Sequence, residues 1–218
     1  LAGIELRVDD WGIDAIYSGT QKCLSCVPGL SPVSFSPRAV DVIKARKTKV
    51  QSWFLDLNLV MGYWGSDAKR SYHHTAPINS LYALHEALVI VKEEGLENSW
   101  QRHALNHRAF AAGIEALGLS FVVTEEYRLP QLNAVRFPDS INDAAVRSAL
   151  LNDYSLEIGA GLGNLAGKVW RIGLMGHASS RRNVLTCLSA LGSVMAGLGA
   201  DAEPGAAIKA AQAVYSGH

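Results

Sequence analysis

The apolar residues of this chain recur at helical spacing in some stretches and alternate with polar residues in others. Between residues 78 and 94 they stand three or four positions apart, which predicts an amphipathic helix. Further helices are predicted over 37–47, 52–64, 97–117, 141–154 and 181–198, with the Ala/Gly-rich remainder as another helix or a frayed tail. Short β-prone runs predict strands within 11–17, 119–124, 131–137, 156–163 and 169–176, and residues 30–35 form a short apolar run.

Capping residues and the spacing of apolar residues add detail to some of these predicted elements. Ser36 followed by Pro37 is typical of an N-cap with proline at the first helical position. In the long helix over 97–117 the predicted packing stripe consists of Trp100, Ala104, His107, Ala111, Ile114 and Leu117. Beyond Gly118 short strands alternate with helices, which indicates a compact sheet with helices on one face. We therefore predict two domains, 1–96 and 97–218, the second ending in a terminal helix and tail.

Composition narrows the class of protein. The chain has 218 residues, of which 49% are hydrophobic and 18% charged, and its 20 basic and 20 acidic residues cancel. A neutral chain has no overall field to recruit nucleic acid or an anionic membrane, so neither partner is predicted. No run approaches the roughly 20 apolar residues that cross a bilayer. Three cysteines do not form a disulfide framework, and we expect a reducing, cytoplasmic compartment.

Cys23 and Cys26 form a CxxC pair, a spacing found in thiol-redox proteins and in half of a zinc site. The remaining Cys187 and the histidines supply no second ligand pair, so no metal site is predicted. A small thiol-redox or zinc protein stays open as an alternative. The adjacent His73 and His74 have no acidic partner in the sequence and are interpreted as structural.

Lys22, in the stretch SGTQKCL, raises a more specific question. The β-prone run from Trp11 to Tyr17 breaks at Ser18, Gly19 and Thr20, which places this lysine in a loop at the rim of a sheet. A lysine there can act as an amine nucleophile when a fraction of its side-chain amine is deprotonated. From the residues alone, a surface or structural lysine is the favoured interpretation of Lys22.

Several separated motifs carry a family resemblance. SGTQK with the following CLSCVPGLSPVSFS, then SYHHTAP, GLENSW and GLG…GKVWRIGLMG resemble alanine–glyoxylate/serine–pyruvate aminotransferases and their relatives. These are class-V, fold type I enzymes that depend on pyridoxal 5′-phosphate (PLP). The resemblance extends from residue 1 to about residue 198. It implies an α/β fold comprising the carboxyl-terminal part of the large, mostly parallel-sheet domain and a small α/β carboxyl-terminal domain.

The resemblance also implies roles for individual residues. Lys22 would bind PLP covalently and act as the catalytic base, and Gln21 would hydrogen-bond the cofactor phosphate. Tyr72 and Thr75 would reach the phosphate of the partner's cofactor in a homodimer. Arg171 would grip the substrate carboxylate, since a planar guanidinium forms two parallel hydrogen bonds that a lysine cannot reproduce. Taken singly, Gln21 and Arg171 are also consistent with ordinary surface residues.

The implied reaction is transamination from a small amino acid, alanine or serine, to glyoxylate or a similar 2-oxo acid. Another class-V activity, such as that of ureidoglycine–glyoxylate aminotransferases, is the alternative. The glycines at 159, 161, 163 and 167 lack the strand–helix–acid context of a nucleotide site and are interpreted as a close-approach loop.

The chain also departs from the family pattern. The family's aspartate for the pyridine nitrogen and its glycine-rich phosphate turn would fall upstream of Leu1. Asp9, Asp10 and Asp14 stand at the wrong register to replace that aspartate. We therefore expect a fragment of the enzyme that is inactive by itself. A non-catalytic remnant that dimerises or binds a partner is the alternative.

Overall fold

The computed structural model describes residues 1–64 and 71–217, so residues 65–70 and 218 lie outside the described residues. Contacts divide the chain into two units. The hairpin unit comprises Leu6–Gln21 and Cys26–Leu88, and the carboxyl-terminal unit comprises Leu1–Glu5, Lys22–Ser25 and Val89–His218. The boundary proposed at residue 96 stays a prediction.

The hairpin unit is built on two short antiparallel strands. β1 (Ala15–Tyr17) pairs with β2 (Val33–Phe35). β1 begins later than predicted because the backbone before it forms tight turns, with Trp11 N–H donating to the carbonyl of Arg7. The N-cap prediction is confirmed: α1 (Pro37–Lys44) starts after Ser36, whose hydroxyl accepts from the Ala39 N–H at 3.1 Å. α2 (Leu57–Trp64) is shorter than predicted, whereas α3 (Ile78–Glu94), which continues into the other unit, has the predicted bounds.

The carboxyl-terminal unit contains a four-stranded sheet and four further helices. The strands β3 (Ser120–Phe121), β4 (Leu132–Arg136), β5 (Gly159–Ala160) and β6 (Val169–Gly173) lie in the order β3-β4-β6-β5, and all neighbours are antiparallel. The helices are α4 (Leu96–Ala116), α5 (Asp143–Tyr154), α6 (Arg181–Gly197) and α7 (Pro204–Tyr215).

The core of this unit lies where these helices pack against the sheet. Trp170 of β6, Phe110 of α4 and Leu188 of α6 are fully buried there. Gly113 lets α4 and α6 approach closely, since a Cβ at that position would lie 2.3 Å from Leu188 Cδ1. In β6, Trp170 and Ile172 are buried while Arg171 between them is exposed. The side chain of Arg171 is therefore directed away from the core.

The packing stripe predicted for α4 is confirmed at its carboxyl-terminal end, where Ala111, Ile114 and Leu117 are buried, and is wrong in the first half of the helix. Its fully or almost fully buried residues include Ser99, His103, Asn106 and Phe110, whereas Trp100 and His107 are only partly buried. The polar members of this face satisfy their hydrogen bonds with backbone groups, so burial does not penalise them.

Among the described residues, no helix has the length and apolar character to span a membrane.

Candidate active site

Lys22 lies in a turn shortly after β1, with its side chain exposed. The Ser25 N–H donates to the Lys22 carbonyl at 2.9 Å and closes the turn, and Ser25 adopts a left-handed conformation with φ 56°. No described residue forms an ion pair or a side-chain hydrogen bond with Lys22. Its amine is therefore available to a ligand, in a backbone of defined geometry.

The segment before this turn is anchored within the hairpin unit. Thr20 is fully buried, and its hydroxyl donates to the Val27 carbonyl at 2.7 Å. The Cys26 N–H donates to the Thr20 carbonyl at 3.1 Å. Gln21 is exposed and its amide folds back over Gly19, where an added Cβ would lie 2.7 Å from Gln21 Oε1. A free amide and a free amine thus follow one another in sequence.

Residues 22–25 pack on the loop that follows β6. The His177 N–H donates to Ser25 Oγ at 2.8 Å. Gly176 has φ 57°, and a Cβ at this position would lie 2.0 Å from Ser25 Oγ and 2.6 Å from the Cys23 carbonyl oxygen. Only a glycine fits both this backbone conformation and this approach. The Lys22 turn is thereby joined to the segment that begins three residues after β6.

Two neighbouring residues of α4 hold that loop. Arg102 Nη1 donates to the carbonyls of Gly176 (2.8 Å) and Ser179 (2.7 Å), and its guanidinium also pairs with Glu94. The hydrogen bonds from Arg102 hold the pKa of Glu94 below its ordinary value. His103 Nε2 accepts from the Gly176 N–H at 2.9 Å.

The protonation state of His103 follows from its partners. Its Nδ1 lies 2.7 Å from the Ser99 carbonyl, which can only accept, so Nδ1 carries the proton and Nε2 is the acceptor. Burial lowers the pKa of His103, which favours this neutral form. Gly176 is thus held at its carbonyl by Arg102 and at its N–H by His103.

Arg171 lies on the exposed face of β6. Its Nε donates to the Ala160 carbonyl of β5 at 2.7 Å, which fixes the guanidinium along the sheet edge. Gly159 permits this placement, because a Cβ there would lie 3.3 Å from Arg171 Nη2. Within residues 1–64 and 71–217, no carboxylate pairs with Arg171. The two Nη groups remain able to bind an external carboxylate.

Tyr72 and Thr75 lie together in the hairpin unit, and both are exposed. The Tyr72 hydroxyl is 2.7 Å from Thr75 Oγ1. Between them, His73 stacks on Trp53 with ring centroids 4.0 Å apart, and its Nε2 donates to the Trp53 carbonyl at 3.1 Å. His73 Nδ1 lies 2.7 Å from His74 Nδ1, and the two rings share a hydrogen bond. These contacts agree with a structural interpretation of both histidines.

The thiol and metal alternatives gain no support from the geometry. Cys23, Cys26 and Cys187 are all free, and burial raises the pKa of the Cys23 thiol, which disfavours the reactive thiolate. Among the described residues, no three His, Cys, Asp or Glu side chains are grouped to hold a metal ion.

The structure places the predicted residues in two groups. Lys22 and Arg171 belong to the carboxyl-terminal unit, and Gln21, Tyr72 and Thr75 belong to the hairpin unit. Sequence reasoning missed the residues that hold the Lys22 turn, which are Glu94, Arg102, His103 and Gly176. The only local signal for them was a polar pair, Arg102-His103, inside a helix otherwise interpreted by its apolar stripe.

Comparison with known proteins decides the family. The sequence model described as "Aminotransferase class-V" matches residues 1–179. The chain belongs to the class-V aminotransferase family. It is 38% identical to the (S)-ureidoglycine–glyoxylate transaminase of Bacillus subtilis (strain 168), covering 99% of this chain and 56% of that protein. It is 44% identical to the alanine–glyoxylate aminotransferase of Callithrix jacchus, covering 84% of this chain and 45% of that protein.

Solved structures give the same result for the fold. The alanine–glyoxylate aminotransferase of Nostoc sp. superposes with a TM-score of 0.86 at 49% sequence identity, over 89% of this chain and 51% of that one. The fold is therefore that of the fold type I aminotransferases, as predicted. This class-V aminotransferase chain spans about half the length of the relatives that it matches.

Proposed function

We propose that this chain is part of a PLP-dependent aminotransferase that moves the amino group of alanine or serine to glyoxylate. The observation that carries the proposal is the exposed amine of Lys22, which has no ion pair or side-chain hydrogen bond within residues 1–64 and 71–217, on a turn held by Ser25 and Gly176 in a class-V aminotransferase. An unpaired lysine on a fixed backbone suits covalent attachment of an aldehyde cofactor.

The donors in the chain fit PLP. Lys22 supplies the amine for the aldehyde, and Gln21 supplies an exposed amide for the phosphate. When bound, PLP supplies an electron sink for the carbanion formed at the substrate α-carbon. The Lys22 amine would be the base that takes the α-proton, because an amine that the substrate has displaced from the cofactor stays close to the substrate α-carbon.

The substrate carboxylate is assigned to Arg171. Its Nε is engaged by the Ala160 carbonyl, so the guanidinium is oriented while both Nη groups stay free. A carboxylate can accept from the two N–H groups of one guanidinium edge in parallel. This fixes the orientation of an amino acid or 2-oxo acid without selecting its side chain.

Glyoxylate is the proposed acceptor because it appears in the names of both groups of relatives, whereas their amino donors differ. Ureidoglycine is the second candidate donor, favoured by the relative that aligns with 99% of this chain. Amino-group transfer from alanine, serine and ureidoglycine to glyoxylate, measured as glycine formed by the enzyme that contains this chain, separates the donors. No transfer from any of them would contradict the proposed reaction.

Attachment of the cofactor tests the proposal directly. The chain is incubated with PLP, reduced with borohydride and digested, and the modified lysine is identified by mass spectrometry. We expect the adduct on Lys22 and its loss in Lys22→Ala, while Lys168→Ala, which removes another exposed lysine of the same unit, leaves it unchanged. An adduct spread equally over the exposed lysines would favour a non-catalytic remnant.

We further propose that the enzyme is a cytoplasmic homodimer in which Tyr72 and Thr75 bind the phosphate of the partner's cofactor. Support comes from the hairpin unit, where Trp53, Phe54 and Tyr72 are 55%, 58% and 70% exposed. Clustered exposed aromatic residues mark interaction surfaces. Tyr72→Phe should weaken PLP binding to the enzyme, whereas Tyr17→Phe, at another exposed tyrosine, should not; equal effects would contradict the assignment.

A further inference from the structure

The backbone that carries Lys22 is held by residues that lie far from it in sequence. We call the support the contacts that lead from Arg102 and His103 through Gly176 and His177 to Ser25. The support has three steps, all within the carboxyl-terminal unit. Arg102 donates to the carbonyl of Gly176, and His103 accepts from its N–H. Gly176 and His177 contact Cys23 and Ser25, and the Ser25 N–H returns to the Lys22 carbonyl.

We propose that Arg102 and His103 are positioning residues for the Lys22 amine, acting through the Gly176–His177 peptide. The inference rests on the proposed role of Lys22, but the support itself is independent of any cofactor. Neither α4 residue has a described contact with Lys22, so neither is catalytic in this scheme.

The first step of the support is rigid because it is buried and fully hydrogen-bonded. His103 is 0% exposed and uses both ring nitrogens, one towards Ser99 and one towards Gly176. Arg102 is held in turn by Glu94 and Ser179. Loss of the His103 acceptor would leave the Gly176 N–H buried without a partner, which favours local opening of this loop.

The second step is rigid because of close approach. No side-chain atom can be added at Gly176 without meeting Ser25 and the Cys23 backbone. The Ser25 hydroxyl is the acceptor for the His177 N–H, so the two segments are joined by a directed bond as well as by contact. A displacement of the Gly176 peptide must therefore move the turn that orients Lys22.

Hydrogen exchange of the full chain without cofactor tests the support. In His103→Leu we expect the amides of Ser25 and His177 to exchange at least about tenfold faster, because an unsatisfied Gly176 N–H shifts local opening by that order. His107→Leu is the matched control, since His107 lies one turn further along α4 and bonds Asn133 instead. Amides of α5 should be unaffected by either change.

A second pair of variants avoids the core. Ser25→Ala removes the exposed hydroxyl that accepts from His177, and Ser155→Ala removes another exposed serine with nearly the same backbone conformation, φ 52°. We expect faster exchange at residue 25 and His177 only in Ser25→Ala. If His103→Leu does not fold, this pair of variants still tests whether the segment at Gly176 and His177 holds the Lys22 turn.

The outcomes separate the inference from the proposed function. Equal exchange of residues 22–26 in the test and control variants would overturn the positioning role, whatever Lys22 does. With PLP and borohydride, we expect the ratio of Lys22 to Lys168 labelling to fall in His103→Leu and Ser25→Ala and to stay unchanged in both controls. If PLP labels Lys22 and Lys168 of the wild type equally, the proposed function fails. The hydrogen-exchange result still tests the support in that case.

Discussion

Replacing Gly176 by alanine should destabilise the protein much more than replacing Gly163. Both glycines have left-handed backbone conformations, with φ 57° and 55°. They differ in what a side chain would meet. A Cβ at Gly176 would lie 2.6 Å from the Cys23 carbonyl oxygen and 2.0 Å from Ser25 Oγ, whereas no atom lies within 4 Å of the Cβ position at Gly163.

The expected magnitude follows from these two contributions. The left-handed conformation costs an alanine about 1–2 kcal/mol, and both variants share this cost. Gly176→Ala must in addition displace the Cys23 backbone, which cannot rotate away as a side chain can. Overpacking of this kind costs about a further 1–3 kcal/mol. The two variants should therefore differ by about 1–3 kcal/mol in the free energy of unfolding.

Urea unfolding followed by circular dichroism measures this difference. The wild type, Gly176→Ala and Gly163→Ala are compared at the same pH and temperature, and the midpoints are converted with the measured slopes. If Gly176→Ala loses no more stability than Gly163→Ala, the turn that carries Lys22 is not held against Gly176, and the reasoning is refuted.

Three further predictions concern the carboxyl-terminal unit. The Arg102 ion pair holds the pKa of Glu94 below 4.5, so its stabilisation is present above that pH and lost as the pH falls through the folded-state value. Glu94→Gln should therefore lower the urea midpoint at pH 7 and flatten its decline in acid; parallel curves would contradict this. The Tyr215 hydroxyl donates to Asn106 at 2.7 Å, and burial raises the pKa of Tyr215 from 10 to about 12. The contribution of Tyr215 to the free energy of unfolding should be complete below pH 10 and lost as the pH rises towards 12. Tyr215→Phe should remove this alkaline loss when the urea midpoint is followed against pH. Leu188→Ala should cost about 2–5 kcal/mol of unfolding free energy, since Leu188 is fully buried between helices; a loss below about 1 kcal/mol would mean that the core collapses around the vacancy.

Elements determined by local interactions were the most predictable. α3 has the predicted bounds, and Ser36 caps α1 as its sequence indicates, because spacing and capping act within a few residues. The strands were located correctly in the carboxyl-terminal unit but are shorter, and β1 begins only at Ala15. Strand order could not be read from the sequence, since pairing depends on residues distant in the chain.

The buried face of α4 shows where pattern reasoning fails. Apolar spacing favoured Trp100, but the most deeply buried positions include Ser99 and His103. Their polar atoms bind backbone groups at Ala2 and Gly176, and nothing in the local sequence announces such partners. The location of Lys22 in a loop after a strand was predicted, whereas its support was not, for the same reason.

The bond between Ser25 and His177 also has a consequence for biosynthesis. The two residues are 152 positions apart, so at ribosomal rates of about 5–20 residues per second His177 is added roughly 8–30 s after Ser25. During translation the turn that bears Lys22 lacks its contacts with Gly176 and His177 until the last fifth of this chain emerges. The backbone at Lys22 therefore gains these contacts late, after both strands of the hairpin on either side of it, β1 and β2, have been synthesised.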